Sequence, residues 1–390
     1  MRSTTGTPGP DDGAHRAARD LIGRLTAAGE PFALLHRRTP GHPPGLVEVL
    51  TGPVRHVRLL ADLPLPDGPG ARDLALIPFR QLHERGFEVT DDGTPLAVLR
   101  AREVRTLPLT AVMRALPRHP VTVRDGAFDT GDSAYEQTVR DVVEREIGSG
   151  EGANFVIRRT FTGRIDGWSR YDALALFRRL LAAERGAYWT FVVHTGERTL
   201  VGASPEAHVR MNGGTVVMNP ISGTYRYPPQ GPSTQGLLDF LADPKETAEL
   251  SMVVDEELKM MSVIGDLGGV VVGPRLRAMA HLAHTEYELR GRSTRDVREV
   301  LRETMFAATV TGSPVQNACR VIRRHESGGR GYYAGALALL GRDTGGGQTL
   351  DSPILIRTVD IAPDGRLRMP VGATLVPDSD PAAEVAETHA

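Results

Sequence analysis

The most constraining feature of the sequence is a series of β-type segments that follow one another without intervening helices. Four of them, AYWTFVVHT, RTLVGAS, EAHVRM and GTVVMNP, fill residues 187–220. Strands this close in sequence pair as antiparallel meanders, because a parallel connection needs a crossover of a dozen or more residues. The pattern therefore predicts an α+β fold with large antiparallel β-sheets flanked by helices, and it argues against a doubly wound parallel sheet.

The chain has 390 residues, which suffices for one large domain or two ordinary ones, and no sharp change in composition marks a linker. We expect the polar, Gly- and Pro-rich residues 1–14 to form a disordered tail. Residues 15–390 are expected to form a single domain, with an N-terminal subregion at 15–130 and a catalytic core at 131–390. A helix is predicted from residue 14 to Gly29.

Composition excludes several classes of partner. A net charge of −2 provides no basic excess to bind a nucleic acid backbone. No apolar stretch approaches the roughly 18 residues that a membrane-spanning helix needs. The single cysteine, Cys319, rules out an intramolecular disulfide and fits the reducing cytoplasm. Because Cys319 lies in the helical pattern VQNACRVIRR, we predict a buried packing role for it.

Two other motifs carry little weight. The glycine-rich GSGEGAN at 148–154 follows a predicted helix and precedes a predicted strand, whereas phosphate-binding loops have the reverse order. His281 and His284 form an H-x-x-H pair, but no cysteine or third histidine lies at the spacing of a zinc site.

Two Glu-x-x-Glu pairs carry more chemical information. Glu246 and Glu249 lie in one predicted helix, and Glu384 and Glu387 lie in another. A spacing of three places both carboxylates of a pair on one helical face. Such a pair is often a solvated helix surface, but four carboxylates brought together would bind a hard divalent cation, most plausibly Mg²⁺.

Six motifs in a fixed order resemble one enzyme family. They are ASPE (203–206), NPISGT (219–224), DPKETAE (243–249), TVTGSP (309–314), RGYYAG (330–335) and GATLVPDSDPAAEVAET (372–388). From about residue 75 to the C-terminus, the chain resembles the chorismate-utilising enzymes, which include anthranilate synthase component I. Within that family it is most similar to the 2-amino-2-deoxyisochorismate synthases of phenazine and enediyne pathways. The resemblance implies a sandwich of antiparallel sheets.

The resemblance also implies a metal and substrate site. In the family, Mg²⁺ held by the two Glu pairs chelates the ring carboxylate of chorismate, and the residues in those positions are Glu246, Glu249, Glu384 and Glu387. Gly223 and Thr224 match the loop that contacts the same carboxylate.

Further residues match the family's substrate-binding and catalytic positions. Arg357 and Tyr333 match residues that hold the enolpyruvyl carboxylate, for which a planar guanidinium is well suited. Gly372 would add a backbone donor.

Glu206 matches the general acid that protonates the departing C4 hydroxyl, a role that requires a carboxyl still protonated near neutral pH. His284 matches a histidine near that leaving group, and Thr309 a threonine that lines the pocket.

The residues that choose the nucleophile differ from those of several relatives. Water-adding members use a lysine base where this chain has Asn154, and aminodeoxychorismate synthases carry a nucleophilic lysine where it has Ser222. The only lysines in the chain are Lys245 and Lys259. An amide cannot deprotonate water and a serine without a base is a poor nucleophile, so ammonia remains as the predicted nucleophile.

We therefore predict magnesium-dependent amination of chorismate at C2 with loss of the C4 hydroxyl, giving 2-amino-2-deoxyisochorismate for secondary metabolism. Anthranilate synthase activity, isochorismate synthase activity and a catalytically inactive chorismate-binding protein remain alternatives. No glutaminase motif is present, so ammonia is expected from a separate glutamine amidotransferase subunit, from free ammonium, or from a longer form of the chain that continues past Ala390. A homodimer and a cytoplasmic location are also expected.

Overall fold

A computed structural model describes residues 10–27, 29–279 and 282–389 of the chain, with the side chains of 10–12, Ser222 and 244–250 left outside the description. The α-helices in this part are α1 Pro10–Ala27, α2 Leu109–Ala115, α3 Asp132–Asp141, α4 Arg170–Ala183, α5 Thr234–Leu241, α6 Pro244–Ile264, α7 Val297–Thr304, α8 Val315–His325 and α9 Pro381–His389.

The first ten strands are β1 Phe32–Arg37, β2 Leu46–Thr51, β3 Val54–Val57, β4 Arg72–Ile77, β5 Leu96–Arg100, β6 Glu103–Pro108, β7 Arg124–Phe128, β8 Asn154–Arg164, β9 Trp189–His194 and β10 Thr199–Ser204. The others are β11 Ala207–Asn212, β12 Thr215–Met218, β13 Ile221–Arg226, β14 Gly269–Ala278, β15 Leu282–Arg292, β16 Gly312–Ser313, β17 Ala336–Arg342, β18 Gln348–Pro353, β19 Thr358–Ile361 and β20 Arg366–Leu375.

The strands form two ten-stranded sheets, as the meander pattern predicts. The first sheet has the order β16-β8-β20-β19-β10-β9-β1-β2-β6, with β7 also paired to β8. The second has the order β13-β15-β12-β11-β18-β17-β4-β5-β3, with β14 also paired to β15. All of these strand pairs are antiparallel, and the predicted α+β fold is confirmed.

The alternation of side chains along β1 explains how the sheets pack. Phe32 and Leu34 face a core shared with α1, α2 and α4, whereas Ala33 and Leu35 face a core shared with the second sheet. Because successive residues of a strand point to opposite faces, a strand buried on both faces is apolar at nearly every position. The two sheets therefore form a sandwich with helices on its outer surfaces.

Several local predictions differ from the structure. The helix predicted from residue 14 begins at Pro10. The Pro and Gly residues of RYPPQGPSTQ (226–235) predict a loop, but α5 begins within this segment at Thr234. The segment ILIRTVDI forms a strand only from Thr358, because Arg357 adopts a left-handed conformation with φ 50°. Cys319 is buried in α8 as predicted, and burial raises the pKa of its thiol to about 12.

Two chain crossings between the sheets position the functional region. The chain leaves the first sheet at Ser204 and enters the second at Ala207, and it returns from Pro353 in the second sheet to Thr358 in the first. The Ala203 amide donates a hydrogen bond of 3.2 Å to the Arg357 carbonyl, which ties the two crossings together. No described helix is both long and apolar enough to cross a membrane.

Candidate active site

A cavity of about 1010 Å³ opens beside the two crossings. Ten residues singled out by the sequence line it. They are Asn154, Glu206, Gly223, Thr224, His284, Thr309, Tyr333, Arg357, Gly372 and Glu387. These residues come from both sheets, from the crossings between them, from the turns that contain Thr309 and Tyr333, and from α9, so only the tertiary fold brings them to one site.

Glu206 lies in the crossing between β10 and β11, where the backbone is held firmly. Its carbonyl accepts a hydrogen bond of 3.1 Å from the Ile354 amide, and the Ser204 hydroxyl donates one of 2.6 Å to the Ile354 carbonyl. The crossing is therefore fixed to the start of the second crossing, and the Glu206 side chain enters the cavity from a rigid base.

The Glu206 carboxyl is almost fully buried, at 3% exposure. Burial raises its pKa to about 8, against the opposing effects of a hydrogen bond of 2.9 Å donated by the Thr309 hydroxyl and another donated by the Ile221 amide. Loss of hydration outweighs these hydrogen bonds because the charged form loses far more solvation than the neutral form. The carboxyl is consequently protonated at neutral pH and can donate a proton.

His284 faces the same cavity from β15. Its Nδ1 lies 2.9 Å from the Gly223 carbonyl oxygen and 3.2 Å from the Thr224 hydroxyl. A carbonyl only accepts, so Nδ1 carries the proton and Nε2 is left as an acceptor in the neutral ring. Burial lowers the pKa of His284, with the Arg357 and Arg277 charges adding to this effect, so the neutral form dominates near pH 7.

Arg357, Tyr333 and Gly372 line a neighbouring part of the cavity. No carboxylate among the described residues lies within ion-pair distance of the Arg357 guanidinium, whose pKa is lowered by burial, and its nearest polar contact is the Met279 sulfur at 3.9 Å. A Cβ at position 372 would lie 2.5 Å from the Tyr333 hydroxyl oxygen, so only glycine fits there. An unpaired guanidinium of this kind can bind a ligand carboxylate.

Asn154, the first residue of β8, is fully buried, and neither atom of its side-chain amide has a hydrogen-bond partner among the described residues. The backbone of Asn154 pairs with β16. The two segments lie so close that a Cβ added at Gly312 would be only 2.3 Å from the Asn154 carbonyl oxygen. Leaving a buried amide unpaired costs about 1–3 kcal/mol. Because this amide lines the cavity, it can donate hydrogen bonds to a ligand there and accept them from it.

The predicted metal ligands are described only in part. Glu387 is exposed and lines the cavity, and Glu384 is buried one turn earlier on α9. The side chains of Glu246 and Glu249 lie outside the described residues, as does that of Ser222. Those that are described bring no three carboxylate, imidazole or thiolate groups together.

The placement of the helices is nevertheless compatible with a divalent cation. The backbone of α6, which carries Glu246 and Glu249, packs against β13, whose Gly223 and Thr224 line the cavity that Glu387 also lines. Oxygen donors of this kind are the ones Mg²⁺ prefers. His281, the other member of the H-x-x-H motif, lies outside the described residues.

The sequence reasoning missed two residues at this site. Arg226 lines the cavity two positions after Thr224, and strand periodicity, which places alternate residues on one face, could have identified it. Glu257 is buried at 2% exposure one helical turn after the cavity-lining Val253. Its pKa is raised well above the usual value by burial and then by the charge of Glu206. Helical periodicity could have identified Glu257, since it lies on the same face of α6 as the buried Val253 and Met261.

The chain is similar to proteins of one described family. The family model described as chorismate binding enzyme matches residues 90–390. Two relatives described as "anthranilate synthase, phenazine specific", from Pseudomonas chlororaphis and Pseudomonas fluorescens, are 54% and 52% identical over 94% and 96% of the chain. The aligned regions cover 58% and 59% of those relatives, so the chain spans about three fifths of their length.

The fold also has a solved counterpart. A Bacillus anthracis structure described as a putative 2,3-dihydroxybenzoate-specific isochorismate synthase superimposes with a TM-score of 0.72 over 95% of this chain and 96% of that one. At 19% sequence identity, the likeness concerns the fold alone.

Proposed function

The chain belongs to the family of chorismate-binding enzymes, and from this premise we propose that it aminates chorismate at C2 with loss of the C4 hydroxyl. The product would be 2-amino-2-deoxyisochorismate, made for secondary metabolism. The observation that carries the proposal is the protonated carboxyl of Glu206 in a cavity that also contains a guanidinium without an ion-pair partner and an amide without a hydrogen-bond partner among the residues that the structure describes.

Glu206 acts as the general acid. Its proton passes to the C4 hydroxyl, which leaves as water while the ring double bonds shift and ammonia forms a bond to C2. The new C2 ammonium group then returns a proton to the Glu206 carboxylate, so the acid is restored. Chorismate and ammonia thus give the aminated product and water. A positioned general acid contributes roughly 10²- to 10⁴-fold to the rate.

The cavity residues supply the binding interactions. Arg357 and Tyr333 hold the enolpyruvyl carboxylate, with Gly372 allowing the substrate close to the β20 backbone. Gly223 and Thr224 contact the ring carboxylate, and neutral His284 accepts a hydrogen bond near the leaving group through Nε2.

Glu384, Glu387, Glu246 and Glu249 would hold Mg²⁺. When bound, the ion would neutralise the ring carboxylate against these glutamates and polarise it. The substrate is a dianion, so we expect its binding to require the ion.

Asn154 defines the ammonia site in this proposal. Its Oδ1 can accept a hydrogen bond from ammonia, and a neutral amide leaves water unactivated. No lysine stands at position 154 or 222 to act as a base or a covalent nucleophile. Ammonia needs neither form of help because its lone pair is free, so amination is favoured over hydration.

The source of ammonia is also part of the proposal. About two fifths of the length of the Pseudomonas relatives lies outside the region that this chain matches. We propose that a glutamine amidotransferase activity outside residues 1–390 delivers ammonia to the cavity. Free ammonium at high concentration should replace it in a purified system.

One assay tests the proposed reaction. The chain is incubated with chorismate, MgCl₂ and an ammonium salt at pH 7.5, and the product is identified by mass and by fluorescence. Parallel reactions omit ammonium, replace it by glutamine, or remove metal ions with a chelator. We expect 2-amino-2-deoxyisochorismate only where both Mg²⁺ and ammonium are present.

The other products discriminate the alternatives. Fluorescent anthranilate would show that pyruvate is eliminated and that the chain is an anthranilate synthase. Isochorismate would show that water is the nucleophile and contradict the ammonia site. Unchanged chorismate in the presence of magnesium-dependent binding would identify a non-catalytic chorismate-binding protein.

A further inference from the structure

A buried arginine that the reaction does not use lies behind the cavity wall. Arg330 precedes Tyr333 in the motif RGYYAG and is 3% exposed. Its guanidinium makes an ion pair of 2.6 Å with Glu326, and this charge raises the pKa of Arg330 against the lowering effect of burial. Nε and Nη2 of Arg330 donate to the Glu326 carboxylate, and further N–H groups of the guanidinium remain for other acceptors.

The remaining donors of Arg330 bind the backbone of two cavity-lining segments. Nη1 donates a hydrogen bond of 2.8 Å to the Val310 carbonyl, and Nη2 donates one of 2.6 Å to the Val156 carbonyl. Both Val310 and Val156 line the cavity. A single planar group thus links two chain segments that are more than 150 residues apart in sequence.

The segment held at Val310 includes the residue that contacts the proposed acid. Thr309, the preceding residue, donates its hydroxyl to Glu206 Oε1 at 2.9 Å. The direction of that hydroxyl depends on the backbone of residues 309–310, which Arg330 holds through the Val310 carbonyl. Tyr333 is held as well, because its amide donates a hydrogen bond of 3.0 Å to the Arg330 carbonyl.

We propose that Arg330 is a positioning residue that holds the Thr309 hydroxyl against Glu206, and so sets the proton affinity of the acid. The proposal rests on the proposed function only for its effect on turnover. The geometry that carries it is the series of contacts from the Arg330 guanidinium to the Val310 backbone, the Thr309 hydroxyl and the Glu206 carboxyl.

The chemistry of arginine suits this position. A guanidinium presents five N–H donors in a fixed planar arrangement, so it can bind a carboxylate and two carbonyls at the same time. An ammonium group is a point charge on a flexible chain, and it cannot hold three acceptors in these directions. Arg330→Lys therefore keeps the charge opposite Glu326 while releasing at least one carbonyl.

A neighbouring arginine provides a matched control. Arg158 is also buried, at 5% exposure, and its Nε lies 3.1 Å from Glu326. Its Nη2 donates to the carbonyls of Gly328 and Gly329, each at 3.0 Å, and neither glycine lines the cavity that contains Glu206. Arg158→Lys disturbs the same buried ion pair without touching the backbone of Val310 or Thr309.

The titration of Glu206 tests the proposal directly. Infrared difference spectra follow the protonated carboxyl band across a pH series, and the band that disappears in Glu206→Gln is assigned to Glu206. The other charged groups that interact with Glu206 are Arg277, Glu286, Glu257 and Arg357, and all are retained in both lysine variants.

The hydroxyl of Thr309 stabilises the ionised carboxyl, so its loss should raise the pKa of Glu206. We expect wild type and Arg158→Lys to titrate near pH 8 and Arg330→Lys to titrate about one pH unit higher. The basic limb of the kcat/KM profile should move by the same amount. An unchanged titration in Arg330→Lys, or an equal shift in Arg158→Lys, would overturn the proposal.

A second variant keeps the test decisive if Arg330→Lys does not fold. Thr309→Val removes the last contact of the series and leaves the Arg330–Glu326 ion pair intact, and it should raise the pKa of Glu206 to a similar extent. An unchanged pKa in Thr309→Val would refute the role of the hydroxyl. The infrared titration can be measured without turnover. If the wild type failed to aminate chorismate, the proposed function would be refuted, but the titration would still test the role of Arg330.

Discussion

Two buried polar clusters in this molecule differ in how their charges are balanced. The first joins the two sheets, where Arg37 donates hydrogen bonds of 2.5 Å to Glu48 and to Asp351. The second is the cavity wall, where the Glu206 carboxyl faces no cation within ion-pair distance among the described residues and the Asn154 amide is unpaired.

The difference separates polar groups that serve the fold from polar groups that serve a ligand. Buried polar atoms in folded proteins nearly always find partners, since leaving one unpaired costs about 1–3 kcal/mol. In the cluster between the sheets, partners come from the chain itself, and the pKa of Arg37 is raised despite its burial. At the cavity we expect the proposed substrate to supply partners to the Glu206 carboxyl and the Asn154 amide.

The largest expected effect is on turnover. Glu206→Gln should lower kcat by roughly 10²- to 10⁴-fold, because the amide keeps the shape of the protonated carboxyl but cannot give up a proton. The melting temperature should be unchanged, since Glu206 is already neutral at pH 7 in the folded protein. Glu48→Gln is the matched control in the other cluster, and it should keep kcat while lowering the melting temperature. A Glu206→Gln protein with wild-type turnover would remove the proposed acid.

The next effect is on stability. Arg37→Met leaves Glu48 and Asp351 buried without their cation. Such a loss should lower the free energy of unfolding by about 3–5 kcal/mol. Urea unfolding measures this, and kcat per folded molecule should stay near that of wild type. Arg24→Met removes a mostly exposed ion pair with Glu103 at 3.8 Å and should change the stability by less than about 1 kcal/mol. Equal stabilities of these two variants would contradict the distinction between the clusters.

The pH dependence of turnover should depend on Glu206 at the cavity and not on Glu48 in the cluster between the sheets. The general acid is active only when protonated, and the pKa of Glu206 is about 8. Activity should therefore be retained below this value and fall about tenfold for each pH unit above it. The measurement is kcat/KM for chorismate at saturating ammonium, with ammonia concentration corrected at each pH. Glu48→Gln should lose activity over the same pH range as wild type. If kcat/KM already fell with rising pH below pH 6, Glu206 would not be held in its neutral form.

The smallest expected effects are on stability and on the use of ammonium, and they are tested by comparing two buried asparagines. Asn154→Leu removes a buried amide that has no partner among the described residues, so the free energy of unfolding should rise by about 1–3 kcal/mol while kcat/KM for ammonium falls about tenfold. Asn219 is buried at 7% exposure with both amide atoms bonded, Nδ2 to Glu286 and Oδ1 to Arg210. Asn219→Leu should therefore lower the free energy of unfolding by about 1–3 kcal/mol. A larger loss of stability in Asn154→Leu than in Asn219→Leu would indicate that Asn154 is a structural residue.

Much of the fold was predictable because residues 187–220 form short β-type runs that follow one another without intervening helices, as consecutive antiparallel strands do. The break in ILIRTVDI was not predictable, since most residues there prefer strands and none of them is a glycine or a proline. Arg357 takes a left-handed backbone because the chain must cross between sheets at that point, and this requirement arises from contacts distant in sequence.

The motifs identified which side chains could carry chemistry, but not the state of each one. Glu206, Arg357 and Asn154 were selected from short patterns, and all of them line one cavity. Glu257 and Arg330 were not selected, because neither stands at a reactive position of a motif. Their importance depends on segments that pack against them from other parts of the chain.

The amino-acid sequence by itself determined the class of fold, the inventory of reactive groups and the absence of a lysine at the nucleophile positions. These are properties of residue identity and short-range periodicity. Only the tertiary structure decided that the Glu206 carboxyl is protonated at neutral pH, that the Asn154 amide lacks a partner among the described residues, and that Arg330 holds the backbone beside Thr309. Hydration, dielectric surroundings and hydrogen-bond partners depend on which distant segments enclose a group, and residue identity does not specify them.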